Sequence, residues 1–504
     1  MAFETNKFSV IKKKRLEKSQ FSVECTIDTN VDIEKILSIC YTANVENVEI
    51  LNGTINFGGN LDVCVIFLST DGEIGTINSS CPFSSKFEDS QISVSDKANI
   101  KLNIDDCRVE SVGGQTIKLS LVCTQSATLV TTKEVEHVES GDENSFQKED
   151  EIKVFAFVGQ SKETFVENST LSIKEPIKRL ISSDSQATIK SIECGENFVS
   201  VSGEVVSRVL YLTEKERFES AYIIDAFKEE LAVEGATKES LAEGLAVVKQ
   251  NQIKCEIETL EKGVDLKISI PVEICVNVFE EKSQEVLKDI YSTKNELKIS
   301  TESFDMTEKL SNDFFEAKID GTLSLDEDKP RVDKILFVGG TNLSQTNAYV
   351  KDEEVFIEGI CKTNVIYLND ETNSLNSVIV EVPFVVSEKA NTSCENPVVE
   401  ADISVYDVDV VVKKGREFYF DAKLKVGLSF DCEAVGAVVS KIEAGAELEE
   451  KDCALELVFA SAGQDSWDIA KELKTSEEFV CLQNPELKFP LEKDENIVLF
   501  YQKK

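Results

Sequence analysis

The stretch VSVSGEVVSRVLYL (residues 199–212) decides the fold, because its alternation of apolar and polar residues returns twice elsewhere in the chain. The other copies are INFGGNLDVCVIFL (55–68) and VFIEGICKTNVIYL (355–368). In each copy a glycine precedes an aromatic residue by eight positions: Gly59 and Phe67, Gly203 and Tyr211, Gly359 and Tyr367. A period of two with β-branched residues is typical of a β-strand. The chain therefore contains three copies of one strand.

Constant spacings on both sides of this strand indicate that whole domains are repeated. A leucine lies upstream of each glycine, at separations of 22, 23 and 23 residues: Leu37 and Gly59, Leu180 and Gly203, Leu336 and Gly359. A phenylalanine lies downstream of each aromatic residue, at separations of 16, 16 and 17 residues: Phe67 and Phe83, Tyr211 and Phe227, Tyr367 and Phe384. A hairpin-like passage with a glycine turn then closes each copy, at 107–123, 255–275 and 406–426.

These patterns predict a mainly β protein built from three antiparallel β-sandwich-like domains, followed by a small C-terminal domain. The predicted boundaries are 1–140, 152–300, 310–445 and 450–504. We expect the repeated glycines to mark bulges or places where two backbones approach closely.

Three segments between the repeated strands carry predictions of their own. The polar, acidic stretch 137–151 is predicted to be a linker, and 298–313 is a weaker linker candidate. The segment 237–249 is predicted to be a packing helix, with partner binding as the alternative. Its helical face would carry Leu241, Leu245 and Val248.

Length and composition limit the possible architectures and partners. A chain of 504 residues is too long for one hydrophobic core. It has 54 basic and 93 acidic residues and a net charge of −39, which disfavours nucleic acid and anionic lipid as the main partner. Neither an apolar run of about 18 residues nor the apolar core of a signal peptide is present, so we expect a cytoplasmic protein without membrane insertion.

The basic run IKKKRLEK (11–18) is predicted to be a solvated N-terminal arm; an electrostatic tether and the start of a processed leader are the alternatives. The fourteen cysteines include no CxxC pair, and the nearest two in sequence are fifteen residues apart. Most cysteines lie within strand-like runs, as do Cys64, Cys123, Cys275 and Cys361. We therefore expect free, buried thiols in a reducing compartment.

The sequence offers little for catalysis. His137 is the only histidine and falls in the predicted linker, so histidine-based nucleophilic catalysis and histidine-ligated metal are disfavoured. The acidic run 325–333 lacks EF-hand spacing and is predicted to be a solvated loop. No phosphate-binding GxxxxGK[ST] loop occurs. We therefore predict no catalytic residues, metal or cofactor; a two-carboxylate hydrolase is the remaining enzymatic alternative.

After residue 450 the pattern changes to a short strand, a helix from about Ser466, a second helix near Glu477 and a final strand at 496–502. This βααβ unit resembles a LysM module, whose frame is matched by Gly463, Trp467, Ile469, Ala470, Asn484 and Pro485. LysM modules bind N-acetylglucosamine polymers, and Gln464 and Asp465 stand where that family has its glycan-contacting Asp-Thr turn. The resemblance implies a partner- or glycan-binding site at Gly463, Asp465, Trp467, Ile469, Asn484 and Pro485. Trp467 is predicted to be mainly a core residue.

The three repeats resemble the SPOCS domain of clostridial sporulation and spore-coat proteins, in which a strand of this type is followed by a Pro-Phe element. Three such domains with a terminal LysM-like module are similar to SipL-type spore coat morphogenesis proteins. The resemblance implies a non-enzymatic scaffold on the mother-cell side of the forespore. It also implies a protein partner for the C-terminal module, the ATPase of the coat basement layer. Peptidoglycan binding, with the repeats as spacers, is the alternative.

Overall fold

The computed structural model describes residues 3–113, 115–141, 144–215, 217–260, 263–372, 374–392, 394, 396–448 and 454–501. This part of the chain contains 22 β-strands, two short α-helices and one turn of 3₁₀ helix at Gln250–Gln252. The strands form seven sheets in which every recorded pairing is antiparallel. The predicted mainly β, antiparallel fold is confirmed.

The first repeat is built from two sheets. Its strands are β1 (Glu4–Arg15), β2 (Ser19–Asp28), β3 (Ile33–Leu51), β4 (Thr54–Ser69), β5 (Ile74–Glu88), β6 (Lys97–Gly113) and β7 (Thr116–Ser140). In the inner sheet, β4 lies between β3 and β5; in the outer sheet, β1, β2 and β6 all pair with β7. One face of β4 and one face of β7 share a buried core that includes Leu61, Val63, Leu119 and Leu121.

The second and third repeats have the same two-sheet plan. The second consists of β8 (Ser145–Ile173), β9 (Ile177–Gly195), β10 (Phe198–Thr213), β11 (Phe218–Ala232), β12 (Leu241–Val248), β13 (Lys254–Thr259) and β14 (Val264–Ser292). The third consists of β15 (Asn295–Ser324), β16 (Val332–Lys351), β17 (Glu354–Asn369), β18 (Leu375–Lys389), β19 (Val398–Lys413) and β20 (Glu417–Glu447). Their inner sheets are β9-β10-β11 and β16-β17-β18, and their outer sheets centre on β14 and β20.

The repeated glycine and phenylalanine are direct neighbours across two strands of each inner sheet. The register pairs are Gly59 with Phe83, Gly203 with Phe227, and Gly359 with Phe384. A Cβ atom on Gly59 would lie 1.9 Å from the Asn44 carbonyl oxygen, and one on Gly203 would lie 2.2 Å from that of Thr188. The expected close backbone approach is confirmed at Gly59 and Gly203, because a side chain at either position would collide with the adjacent strand. At Gly359 the nearest atom to such a Cβ is instead Cζ of the Phe384 side chain, at 3.0 Å.

The repeated aromatic residues, Phe67, Tyr211 and Tyr367, are all buried. Their other strand partners are Ile36, Leu180 and Ile335, and a bulge follows each of these at Leu37, Ile181 and Leu336. The spacing predicts Leu180 as the counterpart of Leu37 and Leu336, but this prediction is wrong. The structural counterpart is Ile181. The sequence alone misplaces this position by one residue because both residues are aliphatic.

The inner sheets meet in one apolar cluster that draws on all three repeats. It includes Leu37, Ile66, Ile181, Leu210, Phe337 and Ile366. Ile66, Leu210 and Ile366 each immediately precede the repeated aromatic residue, so equivalent positions of the three strands converge. The three sandwiches therefore pack around a common centre.

The predicted linker at 137–151 is wrong, and so is the linker at 298–313. The first segment includes the end of β7 and the start of β8, and the second lies within β15. Val135 and Val138 of β7 are buried while the neighbouring Glu136 and Glu139 are exposed. Acidic residues on the solvent face of a long strand produce the polar composition, whereas the other face packs against the adjacent repeats.

The predicted helix at 237–249 is also wrong, because Leu241–Val248 forms β12 and pairs with β14. Ala242, Ala246 and Val248 are buried, and a Cβ atom on Gly244 would lie 2.9 Å from the Ile192 side chain. Small residues allow β12 to lie close to the neighbouring sheet. Together with β13, this strand occupies the position of β6 in the first repeat and β19 in the third.

The basic run 11–18 is not a solvated arm, because Ile11 to Arg15 lie in β1 and pair with β7. The Lys13 side chain is 4% exposed and forms an ion pair with Glu243 of the second repeat. Arg15 forms ion pairs with Glu400, at 3.1 Å, and with Asp431, both in the third repeat. The basic run therefore joins the first repeat to the other two.

The expectation of free thiols holds for Cys64, Cys123, Cys275 and Cys361. It is wrong for four other cysteines, which form two disulfides, Cys25–Cys81 and Cys394–Cys432. The paired residues are 56 and 38 positions apart in the sequence, so the spacing of neighbouring cysteines gave no indication of them.

Candidate functional site

The C-terminal unit contains β21 (Leu455–Ala460), α1 (Ser466–Glu472), α2 (Glu477–Gln483) and β22 (Glu495–Phe500). The predicted βααβ order is confirmed. The two strands pair with each other, and the helices pack on one face of this two-stranded sheet. The core of the unit includes Ile469, Ala470, Val480, Ile497 and Leu499, all at most 1% exposed.

Gly463 and Asp465 shape the turn that leads into α1. Gly463 has φ of +90°, a conformation that favours glycine, and its amide donates a hydrogen bond to the Leu491 carbonyl at 2.7 Å. The Asp465 carboxylate caps α1 by accepting a hydrogen bond from the Asp468 amide at 2.8 Å, and the Asp465 amide donates one to the Asp468 carboxylate at 3.2 Å. These residues therefore fix the loop and the start of the helix.

Trp467 is 7% exposed, so its predicted core placement is confirmed. Its indole Nε1 donates a hydrogen bond to Asp289 Oδ2 at 2.9 Å, and its ring meets Tyr291 edge-on with centroids 5.0 Å apart. Asp289 and Tyr291 lie near the end of β14 in the second repeat. The only tryptophan in the chain thus packs inside the C-terminal unit and also anchors that unit to the repeat.

Charged side chains reinforce this contact. Lys471 of α1 lies 2.6 Å and 2.7 Å from the two carboxylate oxygens of Asp289, and Lys148 of β8 lies 2.9 Å from Asp465. Although burial opposes ionisation, hydrogen bonds from Lys471 and Trp467 hold the pKa of Asp289 below its ordinary value. Burial likewise opposes ionisation of Asp465, but its hydrogen bonds with Asp468 and Lys148 lower its pKa.

Tyr291 completes the contact on the side of the second repeat. Its hydroxyl donates a hydrogen bond to the Thr475 carbonyl at 2.7 Å, and its ring stacks on Phe146 at 5.4 Å. Burial, with smaller effects from Glu477 and Asp289, raises the pKa of Tyr291 to about 12. The tyrosine stays neutral near neutral pH and therefore acts as an apolar surface with one hydrogen-bond donor.

Asn484 ties α2 to β22. Its side-chain amide donates hydrogen bonds to the carbonyls of Val480 and Val498 at 3.0 Å, and its oxygen accepts one from the Val498 amide at 3.0 Å. Pro485, the next residue, is exposed. Asn484 is therefore engaged within the fold, whereas Pro485 faces solvent.

The six predicted binding residues do not form one free surface. Ile469 is in the core, Asn484 covers a strand, and Asp465 and Trp467 contact the second repeat. Asp289, Lys148 and Tyr291 were missed by the sequence analysis, because they lie about 180 to 320 residues from their partners in the C-terminal unit. Nothing in the local sequence signals such a contact.

A second candidate site is a cavity of about 1030 Å³ between the repeats. Its lining includes Cys64 of the first repeat, Asp184 and Arg208 of the second, and Asp402 of the third. Burial raises the pKa of both aspartates, with Arg208 opposing the effect at Asp184 and a lysine opposing it at Asp402. Burial, with a smaller effect of Asp184, raises the pKa of Cys64 to about 12, so this thiol is not an activated nucleophile.

The residues that the sequence offers for catalysis or metal binding do not come together in the described part of the chain. His137 is 1% exposed in β7, not in a linker; its Nδ1 lies 3.2 Å from the Val138 carbonyl oxygen, and its ring packs against Phe8. Asp326 to Asp328 of the acidic run form an exposed turn. Among the described residues, no group of three or more His, Cys, Asp or Glu side chains is arranged to hold a metal ion. No helix in the described ranges has the length and apolar character needed to cross a membrane.

The fold defines a protein of repeated β-sandwiches that carries a small βααβ unit at one end. Residues 32–112, which span β3 to β6 and include Gly59, Phe67 and Phe83, match the family described as "SipL, SPOCS domain". This part of the chain is a SPOCS domain, and it indicates a sporulation-related function. The SPOCS family is not a known enzyme family. A search of curated proteins found none that matches the chain.

Proposed function

We propose that the protein is a non-enzymatic scaffold in spore coat or envelope assembly, and that it recruits a protein partner through its C-terminal unit. The SPOCS domain at residues 32–112 is the observation that carries the proposal. By resemblance, the partner is the ATPase of the coat basement layer, and the site of action is the mother-cell side of the forespore.

The second and third repeats support the same proposal for the rest of the chain. Each reproduces the glycine–phenylalanine register pair of the SPOCS domain, at Gly203–Phe227 and Gly359–Phe384, and each has the same two-sheet plan. We treat them as SPOCS-like repeats. The proposed boundaries at 152 and 310 move to the starts of β8 and β15, at 145 and 295, because both earlier positions fall inside strands.

The packing of the repeats changes how such a scaffold would work. Buried ion pairs join each repeat to the other two: Lys13 with Glu243, Arg15 with Asp431, and Lys425 with Glu204. Three domains on flexible linkers would sample many orientations, whereas three domains with shared cores hold one. The scaffold therefore presents its C-terminal unit from a defined position on the second repeat.

The C-terminal unit remains LysM-like in our proposal, since the order of its elements and its Gly463 turn follow that frame. Peptidoglycan binding is not favoured. Asp465, in the turn that contacts glycan in LysM modules, forms an ion pair with Lys148, and Trp467 is buried against Tyr291.

The test is a pair of sedimentation experiments on the full chain. One mixes it with the purified coat basement ATPase of the same cell, and the other with purified, insoluble cell wall. The proposal expects co-sedimentation with the ATPase and none with the wall. Sedimentation with the wall alone would instead support the peptidoglycan alternative.

A further inference from the structure

The two-stranded sheet of β21 and β22 has an outward face made of large apolar side chains. Leu455, Leu457, Phe459 and Phe500 are 53%, 64%, 65% and 59% exposed. Leu455 is the register partner of Phe500, and Leu457 and Phe459 follow on the same face at a period of two. Four exposed side chains of this size on one small sheet are characteristic of an interaction surface.

The two edges of this sheet differ in whether their backbone groups are covered. The outer edge of β22 is covered at Val498, whose amide and carbonyl both bond to the Asn484 side chain. Among the described residues, β21 pairs with β22 alone, so its other edge carries no strand. One edge is thus closed by a side chain, and the other is open.

The backbone groups at the open edge follow from the antiparallel register. Because Val498 bonds away from β21, its register partner Leu457 must direct its own amide and carbonyl away from β22. Bonding direction alternates along a strand, so Leu455 and Phe459 point the same way. The residues that carry the exposed side chains therefore also present the open hydrogen-bonding edge.

The exposed edge strands of β-sheets are normally protected by lysine, proline, a bulge or a covering segment. The sequence of β21, LELVFA, contains neither lysine nor proline, and its pairing with β22 shows no bulge. Its one charged residue, Glu456, lies on the opposite face and accepts a hydrogen bond from the Tyr501 hydroxyl at 2.8 Å. This edge therefore has the features of a strand that is completed by another strand.

The net charge of the C-terminal unit indicates what kind of strand would add to β21. Residues 454–501 contain ten acidic and four basic side chains, and one of those four, Lys471, is paired with Asp289. A second copy of the chain would bring another net charge of −39 to the same place, so pairing between two β21 strands is opposed electrostatically. A cationic strand would meet a complementary surface.

We infer that β21 captures its partner by β-augmentation: an extended segment with alternating apolar residues and basic flanks adds to the open edge of β21 and covers Leu455, Leu457 and Phe459. This inference rests on the proposed function, since it specifies how the C-terminal unit would hold its protein partner.

The first test maps the contact in the source cell. The full chain carries the photo-crosslinker p-benzoylphenylalanine as Phe459→p-benzoylphenylalanine, and a matched control carries it as Leu482→p-benzoylphenylalanine on α2, where the leucine is 72% exposed. We expect a sporulation-specific adduct from position 459, mapped by peptide sequencing to a basic-flanked segment with alternating apolar residues. At position 482 we expect at least about tenfold less of this adduct. An adduct with a second copy of the chain, or no adduct at 459, overturns the inference.

The second test separates the inference from the proposed function. Leu457→Asp and Leu482→Asp are compared in the sedimentation experiment with the coat basement ATPase, after circular dichroism has shown that both fold. Leu457→Asp should weaken binding at least about tenfold and Leu482→Asp should not. Equal binding by wild type and both variants overturns the inference and leaves the scaffold proposal standing. No binding by wild type refutes the proposed partner, and the adduct from position 459 then decides whether β21 holds a different strand.

Discussion

Two regions of the molecule differ in what they bury. The interfaces between the repeats bury charged side chains, whereas the outer face of the sheet of β21 and β22 exposes apolar ones. Between the repeats, Lys13 and Lys425 are almost fully buried and neutralised by carboxylates of other repeats. On the sheet of β21 and β22, Leu457 and Phe459 are about two-thirds exposed. Buried ion pairs favour one arrangement of the repeats, whereas the exposed apolar strand is the surface on which the proposed partner strand would add. The contacts of the first region lie within the chain, and those proposed for the second lie with a partner.

The largest expected effect comes from breaking an interface between repeats. Lys13→Ala leaves Glu243 without its buried partner and should lower the free energy of unfolding by about 3 kcal/mol. The adjacent Lys12, whose ion pair with Asp305 is largely exposed, is the matched control, and Lys12→Ala should cost less than about 1 kcal/mol. Urea denaturation measures both. Equal losses would show that the two lysines have similar environments.

The repeated glycines should rank by the space around them. Gly203→Ala places a Cβ atom 2.2 Å from the Thr188 carbonyl oxygen and should destabilise the fold by about 2 kcal/mol. At Gly359 the nearest atom is Cζ of Phe384 at 3.0 Å, a side chain that can shift, so Gly359→Ala should cost about 1 kcal/mol. Urea denaturation of the two variants gives the order, and a larger loss at Gly359 would contradict it.

The contact between the C-terminal unit and the second repeat can be weakened without disturbing the repeats. Asp289→Ala removes the acceptor of both Trp467 and Lys471 and should weaken docking by about 2 kcal/mol. Hydrogen exchange should then become faster in α1 and at the end of β14, with the inner sheets unchanged. Asp150→Ala, on the neighbouring strand and paired with exposed Lys288, should leave exchange in α1 as it is.

Acid should have the smallest effect on the same contact. The pKa values of Asp289 and Asp465 are lower in the folded protein than their ordinary value of 3.8, so both favour the docked state above that value. The contribution is lost as the pH falls through their folded pKa values, below 3.8. Emission from Trp467, the only tryptophan, should therefore stay constant from neutral pH down to about 4 and shift to longer wavelength below it. A shift centred near pH 6 would point to a different group.

Period-two alternation made the repeated strands predictable. One set of alternate residues in β4, β10 and β17 is buried, and it includes Leu61, Val205 and Cys361, each at most 1% exposed. The C-terminal order of elements was equally predictable, because the helical pattern of its middle part differs from the strand pattern on either side. These features depend on residues that are near one another in sequence.

The features that sequence could not predict depend on distant partners. Lys13 is buried because Glu243, 230 residues away, neutralises it, and without that partner a basic run is normally solvated. The spacing of Leu241, Leu245 and Val248 in the stretch 237–249 suits a helix, but Leu241–Val248 is a strand because it pairs with β14. The role of Trp467 as an anchor required Asp289, 178 residues away.

The most direct measurement is the position of the full chain, fused to a fluorescent protein at native expression level, in the source cell through starvation. We expect a ring around the forespore that forms only during sporulation. A diffuse signal, or a signal at the wall of growing cells, would contradict the scaffold function.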